Sequence, residues 1–210
     1  MKNYLEESFF FNYSDPQIQA LVGPLRSLPQ GEQIQQLFRH IRDQWRYNPF
    51  VIYTQAENYR ASFIAAQEEG HCIDKSTLLI TAARALNIPA RLRLAKVMNH
   101  IAVERLLQKL GSAHIAPHGI AELYVQGQWR KASTAFNKEL CTLYQVEPLE
   151  FDGSQDAVIQ EYNKANAQFM EYVEDYGAFE DVPLPFIIET FQTNYPELSK
   201  VMAGKNKIVL

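Results

Sequence analysis

Cysteine is scarce in this chain of 210 residues: Cys72 and Cys141 are the two present, too few for a disulfide framework. In a reducing compartment each is therefore either buried filler or chemistry. Runs of lysine or arginine are lacking and the net charge is −4, so there is no basic footprint for nucleic acid or an anionic membrane. Long hydrophobic runs are lacking too. Phe9-Phe10-Phe11 is too short for a signal core or a span, and Met1-Lys2-Asn3-Tyr4-Leu5-Glu6-Glu7 has no charged-then-apolar pattern. These absences predict a cytoplasmic protein whose partners are neither nucleic acid nor membrane. No internal repeat or low-complexity tract breaks the chain.

What is present suffices for one sizeable core, with 47% hydrophobic and 12% aromatic residues. The expectation is a single domain over residues 1–210. Ile34, Leu37, Phe38, Ile41 and Trp45 recur at helical spacing from Gly31 to Arg46, and Asn48-Pro49 ends that helix. A short helix is expected over Tyr59 to Gln67, a break at Glu69-Gly70-His71, and a long helix from Cys72 to Leu86 that Asn87-Ile88-Pro89 terminates. Strand-like stretches follow at Ala90 to Met98, His118 to Val125 and Gln128 to Ala135, the last two joined by a tight turn at Gln126-Gly127. Residues 99–117 read as a helical excursion. Residues 138–210 read as an acidic, aromatic helical extension, in which Ile159, Tyr162, Phe169, Val173 and Tyr176 share a face and Pro183 and Pro185 introduce a last short helix. Helices followed by antiparallel strands predict an α+β fold.

Cys72 stands directly after a glycine-containing break and at the start of a helix. There the unsatisfied N–H groups and the positive end of the helix dipole favour an anion, and thiolate is the nucleophilic form of cysteine. The plainer reading of the same position is a small buried hydrophobe. Cys141, in Lys138-Glu139-Leu140-Cys141-Thr142-Leu143, has no break before it and is read as buried filler.

Several motifs in order resemble one family. Glu69-Gly70-His71-Cys72-Ile73-Asp74-Lys75-Ser76, Leu78-Leu79 and Ala83-Arg84-Ala85-Leu86-Asn87-Ile88-Pro89-Ala90-Arg91 are similar to the glycine-x-cysteine helix of transglutaminase-like proteins and the stretch leading into their first strand. His118-Gly119-Ile120-Ala121-Glu122-Leu123-Tyr124 and Gly127-Gln128-Trp129 resemble that family's histidine strand and glycine-x-tryptophan hairpin. The resemblance covers residues 59–137. It implies a cysteine-protease-like core, with a nucleophile helix packed on an antiparallel sheet that carries a histidine base. Family members include cross-linking transferases, peptidases and amidases, so the resemblance implies an amide or peptide substrate in a protein or peptide without naming it. It implies catalytic roles for Cys72 and His118; no cofactor is expected, because nothing in the sequence suggests a calcium site such as animal cross-linking members use.

Two positions depart from the family pattern. Asn87 replaces a glycine at the helix end, where asparagine also tolerates the left-handed conformation. Ser133 stands where the family has an aspartate that orients the histidine. With Gln126-Gly127 as a two-residue turn, Val125 pairs with Gln128, Tyr124 with Trp129, Glu122 with Lys131 and Ile120 with Ser133. Ser133 then shares a face with His118 and lies diagonal to it, while Thr134 points away. A bulge would swap the two, and Asn137 is a third candidate. A serine hydroxyl can hold the imidazole tautomer but brings no charge to stabilise an imidazolium.

Other readings compete. Cys72, His114 and His118 suggest zinc, yet Pro117 spoils a helical histidine pair and no further ligand completes a set, so no metal is expected. His71 is read as a neighbour of Cys72, and His40 and His100 as histidines without a role. Trp45, Tyr47, Tyr53 and Tyr59 are core aromatics that also precede the nucleophile, where a cleft would lie. Two functions remain: a thiol acyl-transfer enzyme using Cys72, His118 and Ser133, or a non-catalytic domain of the same fold that binds a peptide or protein.

Overall fold

The computed structural model describes residues 1–100, 103–197 and 207–209. Its helical first half runs α1 (Pro16–Val22), α2 (Gln30–Gln44), β1 (Arg46–Tyr47), β2 (Val51–Tyr53), α3 (Ala61–Ala65), β3 (Glu69–Gly70) and α4 (Cys72–Ala85). Strand β4 (Ala90–Asn99) leads through α5 (Val103–Leu110) to β5 (His114–Val125), β6 (Gln128–Ala132), α6 (Lys138–Tyr144), β7 (Met170–Phe179), α7 (Leu184–Asn194) and β8 (Lys207–Val209). This is the expected α+β architecture: a four-stranded antiparallel sheet, order β6-β5-β4-β7, with α4 packed on it.

Helix α2 buries the expected stripe, Ile34, Leu37, Phe38 and Ile41, with Trp45 at its C-cap. Helix α4 is buried on every side from Cys72 to Arg84, which makes it the central helix rather than an amphipathic one. Its C-terminus closes as a Schellman motif. Asn87 takes φ 62°, the Asn87 N–H donates to the Arg84 carbonyl and the Ile88 N–H to the Ala83 carbonyl. Two buried basic side chains on α4 tie its surroundings together. Lys75 Nζ donates to the carbonyls of Arg42, Trp45 and Ala135 at 2.8–3.0 Å. Arg84 donates to those of Glu6, Ala90 and Glu180. Each satisfies backbone acceptors that burial would otherwise strand.

The hairpin turns as expected, with Gln126 and Gly127 both at positive φ (51° and 82°) in the sense a two-residue turn requires. Its register matches through Glu122↔Lys131 and ends at Ala121↔Ala132. The expected pairing of Ile120 with Ser133 is not made, because Ser133 donates its N–H to the Ala157 carbonyl and the chain leaves β5 there. Glu122 does not rely on Lys131; it is buried and bonded by Arg91 and Arg93 from β4.

The C-terminal region departs most from expectation. The stretch read as an amphipathic helix is not helical: Val173 and Tyr176 lie in β7, paired with β4, and Phe169 directly precedes that strand. Val173 is exposed and Phe169 buried, a placement set by sheet pairing rather than by helical periodicity. The last short helix is present as α7.

Candidate active site

Cys72 is the first residue of α4. His71 is its N-cap: His71 Nδ1 accepts the Asp74 N–H at 3.2 Å while Asp74 Oδ2 accepts the His71 N–H at 3.1 Å. This reciprocal cap fixes the turn that presents the sulfur, and it places the free proton of a neutral His71 ring on Nε2. Gly70, before it, sits so close to Asp74 that an added Cβ would meet the Asp74 Cβ at 3.0 Å. A larger residue would therefore push the cap apart.

The helix start rests on β5 at Gly119. A Cβ on Gly119 would lie 2.7 Å from the Cα of Ile73, so only glycine lets strand and helix approach this closely. The approach directs the Gly119 N–H at the Cys72 sulfur, joined by the N–H groups of Ile73 and of Cys72 itself. Burial pushes the thiol up to about 11; those three donors pull the other way and the nearby Asp74 carboxylate adds to the rise. At neutral pH the resting sulfur is thus a thiol held in a nest of donors.

Beside the sulfur lies an apolar cavity of 40 Å³, lined by His71, Tyr47, Tyr59, Phe191 and Tyr195 among others. The Tyr47 hydroxyl is buried without a hydrogen-bond partner, and its pKa is raised first by burial and then by Cys72. The Tyr195 hydroxyl accepts the Ala116 N–H at 2.8 Å and donates to the His114 carbonyl at 2.9 Å, next to a β-bulge in the β4–β5 ladder. The sequence had pointed to Tyr47 as one of several core aromatics. Tyr195 gave no local signal, because only the tertiary path of α7 brings it here.

His118 follows Pro117 in β5, opposite Ala95. Its ring is within electrostatic reach of His71, the N-cap of the helix that Cys72 opens. It is 2% exposed and both ring nitrogens lack a hydrogen-bond partner. Burial, and secondarily His71, lowers its pKa to about 4. The structure therefore brings the Cys72 sulfur to the His118–Gly119 peptide, while no hydrogen bond joins sulfur and imidazole.

The expected hydrogen bond from Ser133 to His118 is likewise not formed. Ser133 is buried, but the pairing that was to place it diagonal to His118 is given up to Ala157. The Thr134 hydroxyl is buried without a partner. Asn137 is committed elsewhere: its Oδ1 accepts the Tyr47 N–H at 3.2 Å and its Nδ2 donates to Glu139. His100 bonds Glu171, His114 lies near Ser112, and His40 packs edge-on to Trp45. Among the described residues no group of three or more His, Cys, Asp or Glu is placed to hold a metal, and no helix is long and apolar enough to cross a membrane.

No curated protein matches the chain. A crystal structure of a candidate cysteine protease from Cytophaga hutchinsonii aligns with 84% of this chain and 53% of its own, at 16% identity and a TM-score of 0.46. This chain thus spans about half the length of that protein. The profile of the transglutaminase-like superfamily matches residues 19–134, from within α1 through the cap, α4 and the histidine hairpin. That is more than half of the sequence, and the chain belongs to the transglutaminase-like superfamily.

Proposed function

We propose that this protein is a thiol-dependent acyl-transfer enzyme acting on an amide or peptide bond. The observation that carries the reading is the Cys72 sulfur at a helix N-terminus, faced by three backbone N–H groups beside an apolar cavity. Cys72 attacks the carbonyl carbon, and the same donors stabilise negative charge as it moves from sulfur to the substrate oxygen. The thiol proton goes to His118, which is neutral above a pKa of about 4. The ring nitrogens hold no other bond, so turning the ring toward the sulfur breaks none. His118 then protonates the departing amine, leaving a thioester that water hydrolyses to a carboxylate and free thiol. An amine in place of water gives transfer. Ser133 has no part in this scheme.

The test is reaction with p-nitrophenyl acetate. The reading requires a stoichiometric burst of p-nitrophenolate, an acetyl group mapped to Cys72 by mass spectrometry, and loss of both in Cys72→Ala. A burst unchanged in Cys72→Ala, or no acetylation of Cys72, overturns it.

One observation favours a second reading, a non-catalytic peptide-binding domain. The thiol and imidazole rest as neutral groups far apart in pKa, with no acid on the histidine. That reading requires peptide binding that survives Cys72→Ala, with no acyl adduct in the unaltered protein.

A further inference from the structure

A second cavity adjoins the one beside Cys72. Tyr47, Pro49 and Ile115 line both, so the two share a wall. The one at the sulfur, at 40 Å³, has room for a few waters and no side chain. The second measures 260 Å³, close to the range of small-molecule sites, and no step of the acyl-transfer scheme uses it.

Backbone bonds fix the position of this second cavity relative to the sulfur. Strands β1 and β3 pair in parallel through Tyr47↔Gly70, and the Asn48 N–H donates to the Gly70 carbonyl at 3.1 Å, two residues before Cys72. From the other direction Asn137, the N-cap of α6, accepts the Tyr47 N–H on its Oδ1 at 3.2 Å. Leu140 and Tyr144, one turn apart on α6, are thereby brought to line the same space as Tyr47.

The lining selects for an uncharged aromatic group. Tyr47 stands edge-on to Phe136 with ring centroids 5.2 Å apart, and Phe136 and Tyr144 are 6.4 Å apart at a tilt. These rings border the cavity, with Leu106, Ile115 and Leu140 adding apolar surface. A further ring entering it meets edges and faces of the kind aromatic pairs prefer. Charge offers no competing preference. Arg46 and Glu69 line the cavity with opposite signs, and the Asn48 amide donates to Glu69 at 3.1 Å, so neither a cationic nor an anionic side chain is favoured.

We propose that this cavity is the specificity site for a peptide substrate, and that it takes an uncharged aromatic side chain next to the amide that meets Cys72. The inference rests on the reading of Cys72 as the reacting thiol for where that amide lies. Its test is binding to a protein that has no thiol at position 72, so the two fail separately.

Cys72→Ala is titrated, with NMR as the readout, with capped tetraglycine peptides that carry phenylalanine, alanine, lysine or glutamate at the second position. The phenylalanine peptide binds about thirtyfold tighter than the alanine peptide, and the lysine and glutamate peptides bind no tighter than alanine. Adding Leu140→Trp, which fills the cavity, removes the preference. In the unaltered protein the phenylalanine peptide at saturation slows alkylation of Cys72 by iodoacetamide and leaves Cys141 unchanged. Equal affinity for phenylalanine and alanine, tighter binding of lysine or glutamate, a preference that survives Leu140→Trp, or no slowing at Cys72 each overturns the proposal. Should Leu140→Trp fail to fold, Leu140→Ala decides. Removing that wall weakens the phenylalanine peptide about fivefold and leaves the alanine peptide as it was, and an equal change in both overturns the proposal.

Discussion

The two cysteines are alike in what is usually measured of a thiol and different in what surrounds it. Both are buried, and burial pushes both up to about 11. Cys141 sits fully buried within α6, its sulfur 3.8 Å from the Phe136 carbonyl and 3.8 Å from the Gln160 amide. Cys72 opens a helix, faces three N–H groups and borders a cavity. Resting acidity does not separate the proposed nucleophile from the buried thiol of α6. The preorganised donors and the adjoining space do, and in the proposed reaction they would act on the charge that develops rather than on the thiol at rest.

The most severe way to break the comparison is to exchange the two sites' chemistry. Cys72→Ala is expected to abolish acylation of the protein, whereas Cys141→Ala leaves it intact; mapping of acetyl groups by mass spectrometry reads both. The next effect is on stability in acid. His118 is buried neutral with a pKa near 4, whereas the unfolded chain binds that proton near 6.5, so the unfolded state takes up more protons between those values. Stability contributed by neutral His118 is present above pH 6.5 and lost as pH falls through 4, by about 3 kcal/mol. Denaturant midpoints of His118→Gln against the unaltered protein from pH 7 to 4 should show the variant losing less.

Gly119→Ala sharpens the role of the strand–helix contact. Its Cβ would press on the Ile73 backbone at 2.7 Å, and the expected cost is about 2 kcal/mol with slowed acylation of Cys72, measured by urea unfolding and by the p-nitrophenolate burst. The smallest effect is that of Cys141→Ala on stability, about 1 kcal/mol from the void left in a packed site.

Local chemistry made much of this site legible in the sequence. The glycine break before Cys72, the left-handed Asn87 and the Gln126-Gly127 turn each act within a few residues, and each is found where the sequence placed it. What escaped depends on distant partners. Ser133 was read from its place in the family pattern and the hairpin register, yet Ala157 takes its N–H. The residues through Tyr176 have helical spacing, but the edge of β4 was open to a strand and β7 fills it. Tyr195 reaches Ala116 only through the path of α7. In each case a hydrogen bond formed across the fold outweighed a preference read along the chain.

The most direct test of the central claim is the rate of Cys72 alkylation across pH, with and without His118. Neutral His118 is available as a base from about pH 4 upward, and the thiol ionises only near 11. The account predicts a Cys72 rate that is nearly level between pH 5 and 9 and becomes a line of unit slope in His118→Ala, the slope Cys141 shows throughout. A Cys72 rate that rises with unit slope in both proteins, parallel to Cys141, would contradict it.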